Sequence, residues 1–271
     1  MAGKVTHIPI GISHAGRTLA LHANFDPADA SALSRGTLLI GGTHGDERAT
    51  VAILEAFVAE RLDSGILGQP VAALCLHNPD GHAADTRYNA RGVDLNRNFP
   101  HMWSQDSEEP SGDVPLSEPE ALALHDLIVT RRPAKIISLH WALAEIDADG
   151  PQSTGLAMAM WESLTPEERL PYRLRVHRPE APAPGFCPGS LGQWCGNHLA
   201  YPDGTRPAMV TLELPFDTPI SARPDPLPPD HLLRVQELWR NNREEYLAKV
   251  GVPVARMLEA ACRHPHGSRP A

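Results

Sequence analysis

Two histidines and two glutamates are the residues of this chain whose types and positions could carry out chemistry. His44 and Glu47 lie three positions apart, directly after an apolar run, while His140 ends a second such run and Glu213 lies within a third. Zinc catalysts use three protein ligands, two histidines and a glutamate among the established sets, and keep a fourth position for water. We therefore expect His44, Glu47 and His140 to hold one Zn²⁺ whose water has a pKa of about 7.

The remaining polar residues near these runs have types that suit hydrolysis. Glu213 would be costly to bury without a partner, and a role as general base beside the metal's water supplies one. Arg87 could stabilise the oxyanion that forms when water attacks a carbonyl. Asn96 and Arg97 could bind a substrate carboxylate, and Asp94 could orient a histidine ligand.

Each of these residues also has a structural interpretation. In a chain with 14 histidines a His-x-x-Glu pair arises easily, Glu213 could pair with a buried arginine, and Asp94 could cap a turn. Joint placement after separate strands favours the chemical interpretation, because the carboxyl ends of parallel strands share one edge of a sheet. For Cys187, Cys195 and His198, which also cluster in the sequence, we favour packing and turn formation over metal binding.

The elements that must position these residues follow from the hydrophobic pattern. Four short apolar runs predict buried strands, at 36–42, 71–76, 135–140 and 207–214. Amphipathic spacing predicts helices that begin at Asp46, at Pro119 and at Asp230. A capping box of Ser117 and Glu120 is expected to open the second of these helices.

Strands that alternate with helices predict an α/β fold with three layers, in which a mixed, mostly parallel twisted sheet carries helices on both faces. The proline- and glycine-rich segment at roughly 147–205 predicts long loops over this scaffold, in which only short pieces such as GLAMAMW and YRLRVH look regular. Because no repeat or low-complexity linker divides the chain, we expect a single domain over residues 1–271, with a frayed tail from about residue 264.

Composition limits the partners and the compartment. With 24 basic and 33 acidic residues the formal net charge is -9, which disfavours nucleic acid and anionic lipid as partners. No apolar run reaches the roughly 18 residues of a membrane span. The N-terminus lacks the features of a signal peptide, and the four cysteines lack C-x-x-C spacing, so we expect a cytoplasmic protein with ordinary thiols. The oligomeric state stays open.

Five motifs in order along the chain resemble those of the zinc carboxypeptidase family, and the resemblance extends over about residues 8–250. They are GGTHGDE, NPDG, TRYNARGVDLNRNFP, SLH and TLELP. The resemblance implies a zinc carboxypeptidase-like fold and a hydrolase that releases a C-terminal amino acid from a small peptide. It implies the same roles as above, for the ligands His44, Glu47 and His140, the base Glu213, the oxyanion residue Arg87, and the carboxylate-binding Asn96 and Arg97.

Within the family, the segments SHAGR, GSLGQWCG and DADGP resemble those of the cytoplasmic amidases that cut the γ-D-glutamyl to meso-diaminopimelate amide of cell-wall peptides. This implies murein tripeptide as the substrate, and a role in peptidoglycan recycling. One alternative is a zinc N-acyl amino acid deacylase, similar to aspartoacylase or succinylglutamate desuccinylase. Another is a protein that binds zinc or a peptide without turnover. In both enzyme hypotheses the partner is a small molecule with a free carboxylate.

Two features depart from the family pattern. Classical carboxypeptidases carry a mobile, substrate-contacting tyrosine before the segment that matches GSLGQW, whereas this chain has PAPGFCP at 182–188. The resemblance also places an acidic residue near Ala144, whereas the acids of this chain are Glu145, Asp147 and Asp149, of which Glu145 and Asp147 are the candidates for substrate contact. Either acid could hold a substrate ammonium group, although acids in loops are more often simply solvated.

Overall fold

An eight-stranded sheet forms the centre of the computed structural model, which describes residues 5–62, 64–176, 187–215 and 231–265. Its strands are β1 (Thr6–Ile12), β2 (Thr18–Ala23), β3 (Thr37–Ile40), β4 (Val71–Leu74), β5 (Lys135–Trp141), β6 (Glu145–Ala148), β7 (Arg173–Arg175) and β8 (Ala208–Leu214). The strand order is β1-β2-β4-β3-β5-β8-β6-β7. The four apolar runs became β3, β4, β5 and β8, which lie side by side and are all parallel.

The strands outside this parallel centre make the sheet mixed. β1 pairs antiparallel with β2, β2 antiparallel with β4, and β6 antiparallel with β8, while β7 runs parallel to β6. The β1–β2 hairpin and the strand β6 are absent from the sequence prediction, which marks the residues around β7 only as a short regular piece, YRLRVH. Their residues are only partly buried or few in number, so they lack the continuous apolar run that marks a strand buried on both faces.

Helices cover both faces of the sheet, as predicted. They are α1 (Arg48–Phe57), α2 (Pro79–Ala84), α3 (Pro119–Arg131), α4 (Thr154–Glu162), α5 (Leu191–Gln193), which continues as a π-helix over Trp194–His198, and α6 (His231–Arg263). Apolar residues of α1, α4 and α6 pack on one face, against Leu39, Ile137 and Val210. Those of α3 and α5 pack on the other face, against Leu38 and Ile136. The three layers of the predicted α/β fold are confirmed.

One local prediction was wrong. Helix α3 begins at Pro119, but no side chain caps it, because the hydroxyl of Ser117 donates to the Glu118 carboxylate and the Glu120 carboxylate accepts the backbone N–H of His14. The predicted capping box is therefore not formed. Within the segment 147–205, α4 and β7 coincide with the two pieces that the sequence marks as regular, GLAMAMW and YRLRVH, and α5 is an additional element.

Asp80, in the first turn of α2, anchors the β1–β2 hairpin. Its carboxylate accepts the hydroxyl of Ser13 at 2.8 Å, the backbone N–H of Ala15 at 2.8 Å and the guanidinium of Arg17 at 2.6 Å. The Asp80 side chain is buried, whereas that of Arg17 is half exposed. The SHAGR segment thus ties the hairpin to the polar loop that follows β4.

Lys135, at the start of β5, is buried and holds the end of α6. Its ammonium donates to the backbone carbonyls of Ala261 at 2.9 Å, Cys262 at 2.7 Å and His264 at 2.7 Å. A cation at a helix C-terminus satisfies unpaired carbonyls and interacts favourably with the helix dipole. The predicted frayed tail lies largely outside the described residues, which end at residue 265.

Helices long and apolar enough to cross a lipid bilayer do not occur in the described part of the chain.

Candidate active site

The candidate site forms where β3, β5 and β8 end. His44 and Glu47 lie in the turn between β3 and α1, and His140 and Glu213 occupy neighbouring register positions in β5 and β8. The turn is packed tightly against the loop after β4. A β-carbon on Gly45 would lie 2.1 Å from the backbone of Gly81, so only glycine fits at this point and lets the turn approach.

The three predicted metal ligands converge. Nδ1 of His44 lies 2.6 Å from one carboxylate oxygen of Glu47, and Nδ1 of His140 lies 3.2 Å from the other. One ligand atom from each residue can be chosen so that all three lie within 4.8 Å of one another. All three side chains are buried, and Oε2 of Glu47 has no hydrogen-bond partner. A His₂Glu donor set with an unsatisfied buried carboxylate oxygen fits a zinc ion.

Neighbouring groups hold the outer nitrogens of both histidines. Nε2 of His44 lies 3.3 Å from Asp94, whose other oxygen accepts Nε of Arg87 at 3.0 Å, and Nε2 of His140 lies 3.1 Å from the hydroxyl of Ser138. Such contacts orient both Nδ1 atoms toward Glu47 and toward a metal. Asp94 was predicted for this role. Ser138 was missed, although its position two residues before His140 puts it on the same strand face.

The electrostatics of the site follow from burial and close charges. Burial raises the pKa of Glu47, but the two histidines outweigh it and lower the value to about 2. Burial lowers the pKa of His44, but Glu47 and Asp94 raise it to about 9. The pKa of Glu213 rises to about 8, chiefly through burial and then through repulsion by Glu47. A cation between the ligands would offset this excess of negative charge.

Glu213 lies beside the metal ligands on one face of the sheet. It is in register with His140 on β5 and with Glu145 on β6, and register partners on adjacent strands point to the same side. One of its carboxylate oxygens accepts the backbone N–H of Leu143 at 3.2 Å. This contact fixes the carboxylate on the face of the sheet that carries His140.

Arg87 contacts both His44 and Asp94. Its Nη1 is 3.3 Å from Nδ1 of His44, and its Nη2 forms an ion pair with Asp94 at 2.8 Å. Burial lowers the pKa of Arg87, but the Asp94 and Glu47 carboxylates outweigh it and raise the value. A fixed guanidinium at this position is suited to a negative charge that develops on an attacked carbonyl.

Asn96 and Arg97 lie on a single helical turn, Leu95–Arg97, that the Asp94 carboxylate caps by accepting the Asn96 N–H at 2.8 Å. The side-chain oxygen of Asn96 accepts the backbone N–H of Leu191 at 3.0 Å, so its NH₂ end is directed away from α5. Arg97 donates to the Asn96 carbonyl at 2.9 Å. Both residues are half-buried.

The two acids that follow β5 have different surroundings. Glu145 is buried and forms ion pairs with Arg175 at 2.8 Å and Arg173 at 3.9 Å. Asp147 is half-buried, lies 3.8 Å from Arg175, and has a pKa raised to about 6, chiefly by burial. Because Arg175 offsets the charge of Glu145, Asp147 is the better placed of the two for contact with a cationic substrate group.

The second histidine and cysteine group does not form a metal site. All four cysteines are free thiols, Cys195 is buried in the core, and His198 stacks on His101 with ring centroids 4.9 Å apart. Within the described ranges, His44, Glu47 and His140 are the only such group whose ligand atoms converge closely enough for an ion. The segment PAPGFCP at 182–188, which stands where classical carboxypeptidases carry their mobile tyrosine, lies largely outside the described residues, which omit 177–186.

Known proteins match this sequence and architecture. The family model for zinc carboxypeptidases matches residues 2–143. Murein peptide amidase A of Escherichia coli K12 is 36% identical over 206 residues, which cover 70% of this chain and 78% of that protein. The corresponding protein of Vibrio campbellii is 33% identical over 215 residues, covering 72% and 74%.

Solved structures show the same fold. The murein-tripeptide amidase of Escherichia coli O157 aligns with a TM-score of 0.55 at 28% identity, over 86% of this chain and 91% of that one. Carboxypeptidase A of Helicoverpa armigera aligns with a TM-score of 0.66 at 19% identity, over 95% and 68%. These relatives favour a peptidase over the N-acyl amino acid deacylase alternative. The chain belongs to the zinc carboxypeptidase family and is a hydrolase.

Proposed function

We propose that this chain is a zinc-dependent amidohydrolase that cuts the γ-D-glutamyl to meso-diaminopimelate amide of murein tripeptide and releases the C-terminal residue. The observation that carries the proposal is the convergence of His44, Glu47 and His140 beside Glu213. The substrate is supported by the names of two relatives, since their alignments with this chain cover 78% and 74% of the relatives' own lengths.

The proposed reaction uses one metal ion and one proton carrier. When bound by His44, Glu47 and His140, zinc activates water and polarises the scissile carbonyl. Glu213 accepts a proton from the attacking water and passes it to the leaving amine. Burial raises the pKa of Glu213 above the usual value of a carboxyl, which suits a group that must accept a proton and then donate it near neutral pH.

The other polar residues position the substrate. Arg87, fixed by Asp94, is proposed to stabilise the oxyanion. Asn96 and Arg97 are proposed to bind the free α-carboxylate of the C-terminal residue through charge-assisted hydrogen bonds. Asp147, and less directly Glu145, is proposed to face a cationic group of the substrate.

The biological setting is part of the same proposal. We infer a single catalytic domain over residues 1–271 that acts in the cytoplasm, in peptidoglycan recycling, on small peptides. The net charge of -9 supports a small-molecule partner over nucleic acid or a lipid surface.

Mass spectrometry of products tests reaction and substrate together. Zinc-loaded protein is incubated with murein tripeptide, ordinary dipeptides, and N-acetyl and N-succinyl amino acids. We expect release of diaminopimelate from the tripeptide and little product from the other compounds. Release of acetate or succinate alone would instead establish a deacylase, and tight peptide binding without any product would establish a binding protein.

A further inference from the structure

The backbone carbonyl of Pro215, two residues after Glu213, accepts hydrogen bonds from two side chains. The hydroxyl of Tyr246 donates to it at 2.6 Å, and the indole N–H of Trp141 donates to it at 2.9 Å. A carbonyl oxygen has two lone pairs, so both are used here. Pro215 and its two partners are buried. Two side chains thus fix the peptide group that directly follows β8.

The two donors come from separate elements. Trp141 follows the metal ligand His140 at the end of β5 and is the register partner of Leu214 on β8. Tyr246 lies in α6, the helix that closes the chain. The Pro215 carbonyl therefore connects three elements: the strand with a metal ligand, the strand with the proposed base, and α6.

Tyr246 approaches β8 from the face of the sheet opposite the candidate site. Leu212 and Leu214 belong to the same core cluster as Tyr246, on the face that α6 covers. Because side chains alternate along a strand, Glu213 between them points to the other face. Tyr246 contacts neither a substrate nor the metal ligands from this position, so any effect on the reaction must pass through the backbone of β8.

The end of β8 is the point at which such support matters. The pair of Trp141 and Leu214 is the last register pair between β5 and β8. Just beyond it, the Leu214 carbonyl accepts the N–H of Ala144 at 3.1 Å, and the Pro215 carbonyl accepts the two side chains. Ends of elements open more readily than their centres. Glu213 is the penultimate residue of β8, so a displaced strand end would displace its carboxylate.

The hydroxyl of Tyr246 can be separated from its ring. The ring packs against Trp141 and Trp239, with centroid distances of 5.3 Å and 6.3 Å. A phenylalanine at this position would keep both contacts and lose one hydrogen-bond donor. The Pro215 carbonyl would then still accept the indole N–H of Trp141, so the strand end would be held less firmly without being released.

We propose that Tyr246 is a positioning residue, which holds the end of β8 through the Pro215 carbonyl and thereby places the Glu213 carboxylate for proton transfer. This inference rests on the proposed function, in which Glu213 is the base. A displacement of about 1 Å at a reacting group can lower the rate about 10²-fold. Since the Trp141 contact remains in Tyr246→Phe, we expect a smaller loss, about tenfold in kcat.

The test is steady-state kinetics of zinc-loaded Tyr246→Phe with murein tripeptide. We expect kcat to fall while KM stays at the wild-type value, because the proposed carboxylate-binding residues Asn96 and Arg97 lie outside β8. Zinc affinity, measured by competition with a chromogenic chelator, should also stay unchanged, because no metal ligand lies on β8. A general loosening of the site would change all three quantities together.

Two matched variants control for the loss of a buried hydroxyl. The hydroxyl of Tyr201 donates to the carbonyl of Pro133 at 2.9 Å, beyond the opposite end of β5, so Tyr201→Phe removes the same kind of bond far from Glu213. Tyr172 lies in the same core cluster as Tyr246, and its hydroxyl has no hydrogen-bond partner among the described residues. In urea titrations we expect Tyr246→Phe and Tyr201→Phe to be destabilised alike and Tyr172→Phe to resemble wild type, whereas kcat should fall in Tyr246→Phe alone.

A wild-type kcat in Tyr246→Phe, or an equal fall of kcat in Tyr201→Phe, would overturn this inference but not the proposed function. A fall of kcat accompanied by a raised KM or a weakened zinc affinity would show a structural role and would also overturn it. Absence of turnover by the wild-type protein would overturn the proposed function and this inference with it.

Discussion

Glu213 lies in register with the metal ligand His140 on the neighbouring parallel strand. Proton transfer to a positioned base contributes about 10²- to 10⁴-fold to rate, so Glu213→Gln should lower kcat by that factor. Since Glu213 is not a ligand, the variant should still bind one equivalent of zinc. Steady-state kinetics together with metal analysis by mass spectrometry would check both. Normal turnover by this variant would exclude Glu213 as the base.

Metal removal should abolish activity reversibly. Chelation by EDTA should stop turnover and addition of zinc should restore it, whereas His140→Ala should neither bind zinc tightly nor regain activity. Because a ligand that binds only the folded state stabilises it, zinc at 100 times its Kd should add about 2.7 kcal/mol to the free energy of unfolding. Denaturant titrations with and without zinc measure this. Full activity in a metal-free preparation would contradict the zinc assignment.

Asp94→Asn should weaken zinc binding without removing a ligand. The Asp94 carboxylate contacts both His44 and Arg87, and loss of such a supporting partner typically lowers metal affinity about 10- to 100-fold. Competition with a chromogenic chelator measures the affinity. Asp113→Asn is the control, because Asp113 forms an exposed ion pair with Arg91 and should leave zinc affinity unchanged. Equal affinities in both variants would remove Asp94 from the site.

The pH dependence of kcat/KM should show an acid limb caused by Glu213. Only the ionised carboxylate can accept a proton, so activity should fall as pH drops through the pKa of Glu213. Burial and then Glu47 raise that pKa to about 8. A bound cation neutralises the Glu47 contribution, so the midpoint in zinc-loaded protein should lie below about 8. A profile that stays flat on the acid side would contradict this role.

Asp80→Asn should destabilise the fold in a pH-dependent manner. Burial raises the pKa of Asp80, but hydrogen bonds from Ala15, Arg17 and Ser13 lower it overall. A carboxyl whose pKa falls on folding stabilises the native state above its unfolded pKa of about 3.9, and this contribution disappears as pH falls through the folded pKa.

The loss of unfolding free energy in Asp80→Asn should therefore be about 1–3 kcal/mol at neutral pH and should shrink in acid. Urea titrations at several pH values measure it. Asp126→Asn, at an exposed position on α3, is the control and should change stability little at any pH. A deficit that is constant with pH would mean that the Asp80 charge is unimportant.

The parallel centre of the sheet was predictable because burial on both faces leaves a continuous apolar run. The convergence of His44, Glu47 and His140 was predictable because few residue types bind zinc, and strand ends bring distant residues together. Ionic partners were not predictable in the same way. That Arg175 pairs with Glu145 depends on β7 lying beside β6, a pairing of three-residue length that no local pattern indicates.

The failure of the predicted capping box has a similar cause. Ser117 and Glu120 have the right types and spacing, but tertiary partners compete for both side chains. The contacts of Asp149 with Thr211 and Gly192 likewise form only once the sheet and α5 are in place. Local sequence rules predict the structure that a segment forms by itself, whereas these contacts require residues from distant parts of the chain.

The hydrogen bonds of Lys135 to the carbonyls of the last turn of α6 connect β5, the strand that contains His140, to that helix. Deleting residues from Ala261 onward would leave the buried ammonium of Lys135 without acceptors. This would lower the free energy of unfolding far more than the removal of exposed residues does. Engineering of the C-terminus, by truncation or by fusion of a tag, should therefore begin beyond His264 if the metal centre is to keep its supporting strand in place.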